Sequence, residues 1–261
     1  REVADLNFTG EGFDLNLEPR TAYLVRVFVN GDAGDTAAAE SRFETGKMGE
    51  PWQAEWIAAE LGDGCHPVMK KSFTVKPGLM KARLYAAGVG MFEACINGQK
   101  LGNEYLKPGI TNYEKRIQVV TFPVVGLEEG ENELSFLLGK GWYMGTFGLE
   151  NAENNFGNRM AAIGELHLDY SDGSHEVVCT DGDFVYRTSA IAESGIYFGE
   201  TVDRTLPSGD WKPVTVLTDP TAEPGTANLR KDHLADRLSL PLVVKEFVPV
   251  QEIIHTPAGE T

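Results

Sequence analysis

The sequence predicts an all-β protein, a β-sandwich of jelly-roll type, on three observations. Its 29 glycines and 13 prolines are spread along the whole length and cut it into short pieces. Within those pieces apolar and polar residues alternate, which is the period of a half-buried strand. Between them stand Asn-Gly and Asp-Gly pairs, which tolerate the positive φ values that tight hairpins need. Many short antiparallel strands at this spacing point to a sandwich rather than to alternating βαβ units.

Taken in order, residues 23–29 are rich in β-branched and aromatic side chains and run into Asn30-Gly31, a strand followed by a turn. Residues 82–87, 91–96, 118–122 and 133–138 repeat the pattern between glycine-containing turns. Asn97-Gly98, directly after Ile96, is the best single hairpin signal. A second meander is expected over 164–170 and 175–180, joined through Asp172-Gly173. Only 228–240 has helical spacing, with Leu229, His233 or Leu234, and Arg237 or Leu238 at i, i+4, i+8 before Pro241. Gly/Pro connectors at 45–51 and 219–225 divide the chain, and no internal repeat is visible. A fresh strand pattern begins at 242–248 and the sequence stops soon after, so the chain is expected to be a fragment.

The chain has 261 residues, 42% hydrophobic and 24% charged, enough for a sizeable core in one large or two smaller domains. Its formal charge of -16 repels phosphate backbones and anionic lipid, which argues against nucleic acid and membrane partners. No apolar run approaches the roughly 18 residues a spanning helix needs, and the first residues lack a signal peptide's apolar stretch, so the chain reads as soluble. Cys65, Cys95 and Cys179 are widely spaced and read as buried thiols rather than a disulfide framework or zinc site. His66, His167, His175, His233 and His255 show no HxxxH or HxH spacing, which leaves a zinc or iron site unsupported. No nucleophile elbow, P-loop or dinucleotide fingerprint is present.

Two resemblances go further. Residues 17–27, with Pro19 and Tyr23 placed as in a tyrosine corner, and Ser41-Arg42-Phe43-Glu44-Thr45-Gly46 resemble the closing strands of a fibronectin type III domain. From Trp52 onward the chain resembles the bacterial α-L-rhamnosidases of glycoside hydrolase family 78. The pieces that carry this include Trp52-Gln53-Ala54-Glu55-Trp56-Ile57, Gly90-Met91-Phe92-Glu93 and Leu106-Lys107-Pro108-Gly109-Ile110-Thr111-Asn112-Tyr113. They continue in Leu138-Gly139-Lys140-Gly141-Trp142-Tyr143 and Ile196-Tyr197-Phe198-Gly199-Glu200, and their order covers most of 52–217. The resemblance implies a partial fibronectin type III-like segment over 1–47, a galactose-binding-like jelly-roll sandwich over 48–217, and a linker with the start of a following β-domain over 218–261. It also implies a downstream (α/α)6 barrel, as a partner within the parent chain, carrying the acid and base of an inverting hydrolysis. The barrel's helices are absent from these residues, so the chain is expected not to be catalytic, in a parent of bacterial cytoplasm or periplasm that releases terminal α-L-rhamnose from plant glycosides or polysaccharides.

Candidate site residues follow from both readings. Trp142 and Tyr143, flanked by glycines, offer an aromatic face for an L-rhamnose-containing glycan, against the competing and favoured reading of core packing. Trp52 and Trp56 are expected to staple the two domains, and Trp211 to belong to a closing strand. The polar stretch 151–158, ending in Asn158, and Asn112, where the family usually has Asp, are candidate calcium ligands, with Asn112 also a sugar contact. Calcium is the one cofactor raised, since the resemblance implies it for some members of the rhamnosidase group and for related rhamnose-binding modules, where it holds the sugar's vicinal hydroxyls; a solvated loop is the competing reading. Glu200 and Asp203 in Gly199-Glu200-Thr201-Val202-Asp203 are paired carboxylates beside Arg204, read as sugar contacts or a structural hydrogen-bonded network rather than as acid and base. The alternatives to a rhamnosidase region are a free-standing calcium-dependent rhamnose-binding module and a spacer docking on the barrel.

Overall fold

A computed structural model describes residues 15–60, 66–219, 225–254 and 257. β1 (Ala22–Asn30) and β2 (Thr36–Glu44) pair antiparallel from Ala22↔Glu44 to Asn30↔Thr36, as a separate two-stranded sheet. Cross-strand Tyr23 and Phe43 stack with ring centroids 5.3 Å apart, and the Tyr23 hydroxyl accepts the Glu18 N–H at 2.7 Å.

Among the described residues, the sandwich has a seven-stranded and a six-stranded sheet. The first runs β16 (Thr215–Leu217), β3 (Trp56–Ala58), β10 (Ala161–Tyr170), β5 (Leu79–Val89), β8 (Ile117–Pro123) and β17 (Leu234–Asp236), with β11 (His175–Cys179) also on β10. The second runs β15 (Lys212–Pro213), β12 (Val185–Thr188), β4 (Pro67–Val75), β9 (Gly130–Gly139), β6 (Met91–Ile96) and β7 (Gln99–Lys100). A small hairpin, β13 (Ile191–Gly195) with β14 (Gly199–Val202), stands apart from both.

Strand period decides where each side chain goes. In β5, Ala82, Leu84 and Ala86 enter the core between the sheets with Phe92, Phe136 and Phe184. Tyr85, Ala87 and Val89 enter a second core on the opposite face, with Trp56, Tyr113, Tyr143 and Leu229. Burial on both faces explains the nearly unbroken apolar run of this strand. The β6–β7 hairpin closes through Asn97 at φ 49° and Gly98 at φ 74°, the left-handed pair of a type I′ turn. β10 and β11 close through the Asp172-Gly173 turn, where the Asp172 carboxylate accepts the Ser174 N–H and hydroxyl.

The outer face of β10 carries Glu165, His167 and Asp169 at alternate positions, and the turn returns His175 to the same face. His167 Nδ1 lies 3.1 Å from His175 Nε2, whose ring nitrogen Nδ1 is 2.7 Å from Asp169. His167 Nε2 is 3.1 Å from Glu165, which also accepts Lys47 Nζ at 2.5 Å and the N–H groups of Gln53 and Ala54. Arg20 reaches His167 and pairs with Glu50, while Lys81 and Arg83 pair with Glu44. The 45–51 connector, legible in the sequence only as a break, is thus bonded at both ends to the sandwich. Trp56 is buried; Trp52 is half-buried, with Lys47 Nζ 4.9 Å over its ring. Trp211 lies 4.5 Å from both Lys70 Nζ and the Arg187 guanidinium, beside edge strand β15.

Three expectations need correction. The helix over 228–240 does not form: one 3-10 turn, Lys231–His233, leads into β17, which pairs in parallel with β8. Its apolar residues share no buried face, because Leu229 is buried whereas Leu238 is 79% and Leu240 91% exposed. The 242–248 pattern forms no strand, since beyond the Glu104↔Val243 bridge and the Tyr105 N–H to the Leu242 carbonyl no described neighbour completes a ladder. Cys95 and Cys179 are free thiols but only half-buried, and burial pushes Cys179 up to about 11; Cys65 and His255 lie outside the described residues.

Candidate functional site

The exit of β9 is positioned by close backbone packing. Gly90, between β5 and β6, has φ +99°, and a Cβ there would fall 2.1 Å from the Gly139 carbonyl oxygen. Gly141 has φ +51°, and its Cβ would meet the Gly90 carbonyl carbon at 2.7 Å. Glycine at both positions lets the two turns touch and starts the one-turn helix α1 (Gly141–Met144) where β9 ends. Gly90→Ala is expected to cost at least ~1–3 kcal/mol, because the strained φ adds to a clash with backbone that cannot move aside. An unchanged urea midpoint for this variant would refute the packing argument.

From α1, Tyr143 points inward, fully buried, edge-on to Tyr113 at 5.1 Å, and Tyr113 packs on Phe156 at 4.9 Å. Its hydroxyl donates to the Gly225 carbonyl at 3.3 Å, and burial pushes the phenol far above its ordinary range. Tyr143 therefore cannot serve as a sugar platform, which corrects that assignment. Trp142, one residue earlier, is half-buried, neither wholly core nor an open face.

The other candidates are held by turns. Asn112 is exposed, its Oδ1 accepts the Glu114 N–H at 3.1 Å, and its carbonyl accepts the N–H groups of Lys115 and Arg116. Asn158 is exposed, with its N–H 3.4 Å from the Gly225 carbonyl. Calcium needs six to eight oxygens, normally including carboxylates. Among the described residues no three His, Cys, Asp or Glu side chains are arranged to hold a metal ion, and Asn112 Oδ1 already accepts one backbone N–H. The donors at Asn112 and Asn158 do not fit the ion as they stand. Glu200 is exposed on β14 opposite Ser194. Asp203 accepts the Thr205 N–H at 2.9 Å and its hydroxyl at 2.6 Å, bonds that hold its carboxyl below the usual range. The network around Asp203 is thus a turn cap built with Thr205.

What the fold assembles here is a cleft of about 370 Å³ between the start of α1, Glu153 and the β13–β14 hairpin. His66, 1% exposed, contributes to its wall. Its Nδ1 lies 3.2 Å from the Ile191 carbonyl, so Nδ1–H donates there and Nε2 is left as an acceptor, buried and without a partner. Burial pushes the imidazole down and the Lys140 charge adds to this, against the opposing pull of the Ile191 carbonyl and Glu193. Glu153 takes the Thr146 hydroxyl at 3.1 Å, and Phe198 stands 65% exposed at the rim. Sequence spacing missed His66 and Glu193 because neither has a partner nearby in the chain; a lone histidine before a strand carries no local signal.

A sequence profile described as the alpha-L-rhamnosidase N-terminal domain matches residues 78–246. A curated alpha-L-rhamnosidase of Formosa agariphila is 30% identical over 187 residues, 68% of this chain and 19% of that protein. The native α-L-rhamnosidase of Aspergillus terreus superposes with a TM-score of 0.72 at 26% identity, over 84% of this chain and 27% of the other. The Streptomyces avermitilis alpha-L-rhamnosidase, solved in complex with L-rhamnose, gives a TM-score of 0.54 at 30% identity, over 58% and 16% of the respective chains. The chain spans less than a quarter of the length of the curated relatives it matches.

Proposed function

The chain belongs to the α-L-rhamnosidase N-terminal domain family, and from that premise we propose that it is the noncatalytic sandwich region of a longer α-L-rhamnosidase. The parent would hydrolyse terminal α-L-rhamnose from plant glycosides or polysaccharides, with the acid and base supplied by a barrel outside this chain. The observation that carries this reading is the match of 78–246 to a family defined as an N-terminal domain, together with the small share of each relative the chain spans. The engagement of Asp203 by Thr205 supports the noncatalytic part, since a carboxylate holding a turn is poorly placed for proton transfer.

The test compares the 261-residue chain with the full product of its gene on p-nitrophenyl α-L-rhamnoside. The expected result is turnover by the full product and none by the chain. Hydrolysis by the pure chain, abolished by Glu200→Gln or Asp203→Asn, would overturn the noncatalytic assignment. A full product inert on rhamnosides would overturn the assignment of the parent.

A further inference from the structure

We propose that His167 and His175 share one extra proton between the carboxylates of Glu165 and Asp169, and that a second proton detaches the Arg20–Glu50 pair from this face of β10, a pH-sensitive clasp on the N-terminal segment. The support is the sequence of donors and acceptors along one line of atoms. Burial would raise the Glu165 carboxyl, but bonds from His167, Lys47 and the Ala54 N–H hold it at about 2, so it can only accept. His167 Nε2, 3.1 Å away, therefore carries a proton. His167 Nδ1 faces the Arg20 guanidinium at 3.3 Å, which has only N–H groups to offer, and His175 Nε2 at 3.1 Å. His175 Nδ1 ends the line 2.7 Å from the Asp169 carboxylate.

Protons on His167 Nε2, His175 Nδ1 and His175 Nε2 satisfy every one of these contacts, with His167 Nδ1 accepting from both His175 and Arg20. Take one proton away, and either two ring lone pairs meet at 3.1 Å or one faces the Asp169 carboxylate at 2.7 Å. Add one, and His167 Nδ1–H points at both His175 Nε2–H and the Arg20 guanidinium.

The surrounding charges make the added proton the damaging one. β5 sets Lys81, Arg83 and Tyr85 opposite Asp169, His167 and Glu165, β11 sets His175 and Cys179 opposite Asp169 and Glu165, and the N-terminal segment adds Arg20, Glu44, Lys47 and Glu50. Glu44 pairs with Lys81 and Arg83, Glu50 with Arg20 and Glu165 with Lys47, which leaves Asp169 to balance the histidine pair. One carboxylate balances one proton; a second has no counter-charge and lies beside Arg20. Burial pushes Tyr85 up to about 12 and Cys179 up to about 11, so neither titrates between about pH 5 and 8, where histidine does. The Arg20 bond holds the Glu50 carboxyl below the usual range, so Arg20 and Glu50 leave the rings as a pair rather than by loss of the Glu50 charge.

The experiment follows the ring nitrogens of His167 and His175 by NMR in the histidine-labelled chain, from about pH 8.5 to 5. Both rings are expected to move in the same two steps, because one proton serves the pair. On the plateau between the steps the Arg20 side chain should show a nuclear Overhauser contact to the His167 ring, and the acid step should abolish it. His175→Gln, at an exposed position, should leave His167 with a single step. If the second proton displaces Arg20, removing Arg20 must in turn favour that proton. Arg20→Met, made in a Glu50→Gln background so that no freed carboxylate contributes, should therefore move the acid step to higher pH. The proposal is overturned if the two rings titrate independently, or if the His167 curve is the same in His175→Gln. It is equally overturned if the Arg20 contact survives the acid step, or if Arg20→Met leaves that step in place. None of these outcomes bears on hydrolysis by the full-length product, so the two readings fail separately.

Discussion

Replacing Lys47 by methionine is expected to cost the fold about 3–5 kcal/mol, the usual penalty for leaving one member of a buried ion pair without its partner. Lys47 is 5% exposed and Glu165 fully buried, and their atoms are 2.5 Å apart. Burial alone would raise the Glu165 carboxyl, but hydrogen bonds from His167, Lys47 and the Ala54 N–H outweigh it and hold it at about 2. A carboxyl held below its unfolded value stabilises the fold fully above about pH 4.5, and that contribution is lost as pH falls toward 2. Thermal melts at neutral pH should therefore show Lys47→Met lower by roughly 10 °C. Glu165→Gln removes the carboxylate and turns an amide N–H₂ toward Lys47 or the connector N–H groups. The difference in stability between it and the parent should shrink between pH 4.5 and 2 as Glu165 itself protonates. A Lys47→Met midpoint within 1–2 °C of the parent would show that the connector is not anchored through Glu165.

Tyr143→Ala should cost a similar ~3–5 kcal/mol, the loss for truncating a fully buried aromatic. The ring fills the second core against Tyr113, and its removal also takes away one of the two donors to the Gly225 carbonyl. Tyr143→Phe keeps the ring and loses one hydrogen bond, so about 0.5–1.5 kcal/mol is expected. Trp142→Ala, at a half-buried site, should fall below Tyr143→Ala in the same urea titrations. Reversal of that order would mean that Trp142, not Tyr143, carries the packing of this turn. Retained stability in Tyr143→Ala with lost rhamnose affinity would restore Tyr143 as a sugar platform.

The sequence by itself determined the local geometry. Asn97-Gly98 closes its hairpin with both residues at positive φ, and Asp172-Gly173 closes the next with Gly173 at φ 83° and the Asp172 carboxylate accepting the Ser174 N–H. β6 follows the two-residue period that one buried face imposes, β5 shows the near-continuous apolar run of a strand that, like β10, is buried on both faces, and the ordered pieces from Trp52 onward carry the family. The face of β10 could also have been read further, since Glu165, His167 and Asp169 stand at i, i+2, i+4 before a turn that returns His175.

Tertiary structure alone decided what depends on partners far along the chain. Lys47 meets Glu165 across 118 positions, and His66 meets Ile191 across 125, separations over which no periodicity extends. The 228–240 segment has helical spacing, yet the free edge of β8 offers Leu234–Asp236 a ladder of hydrogen bonds, while Leu238 and Leu240 have no core to enter. Tyr143 and Trp142 are neighbours in sequence, and only the contact of Gly90 with Gly139 and Gly141 fixes which of them turns inward. Local propensity sets what each segment can form; burial, which belongs to the whole packed chain, chooses among those forms.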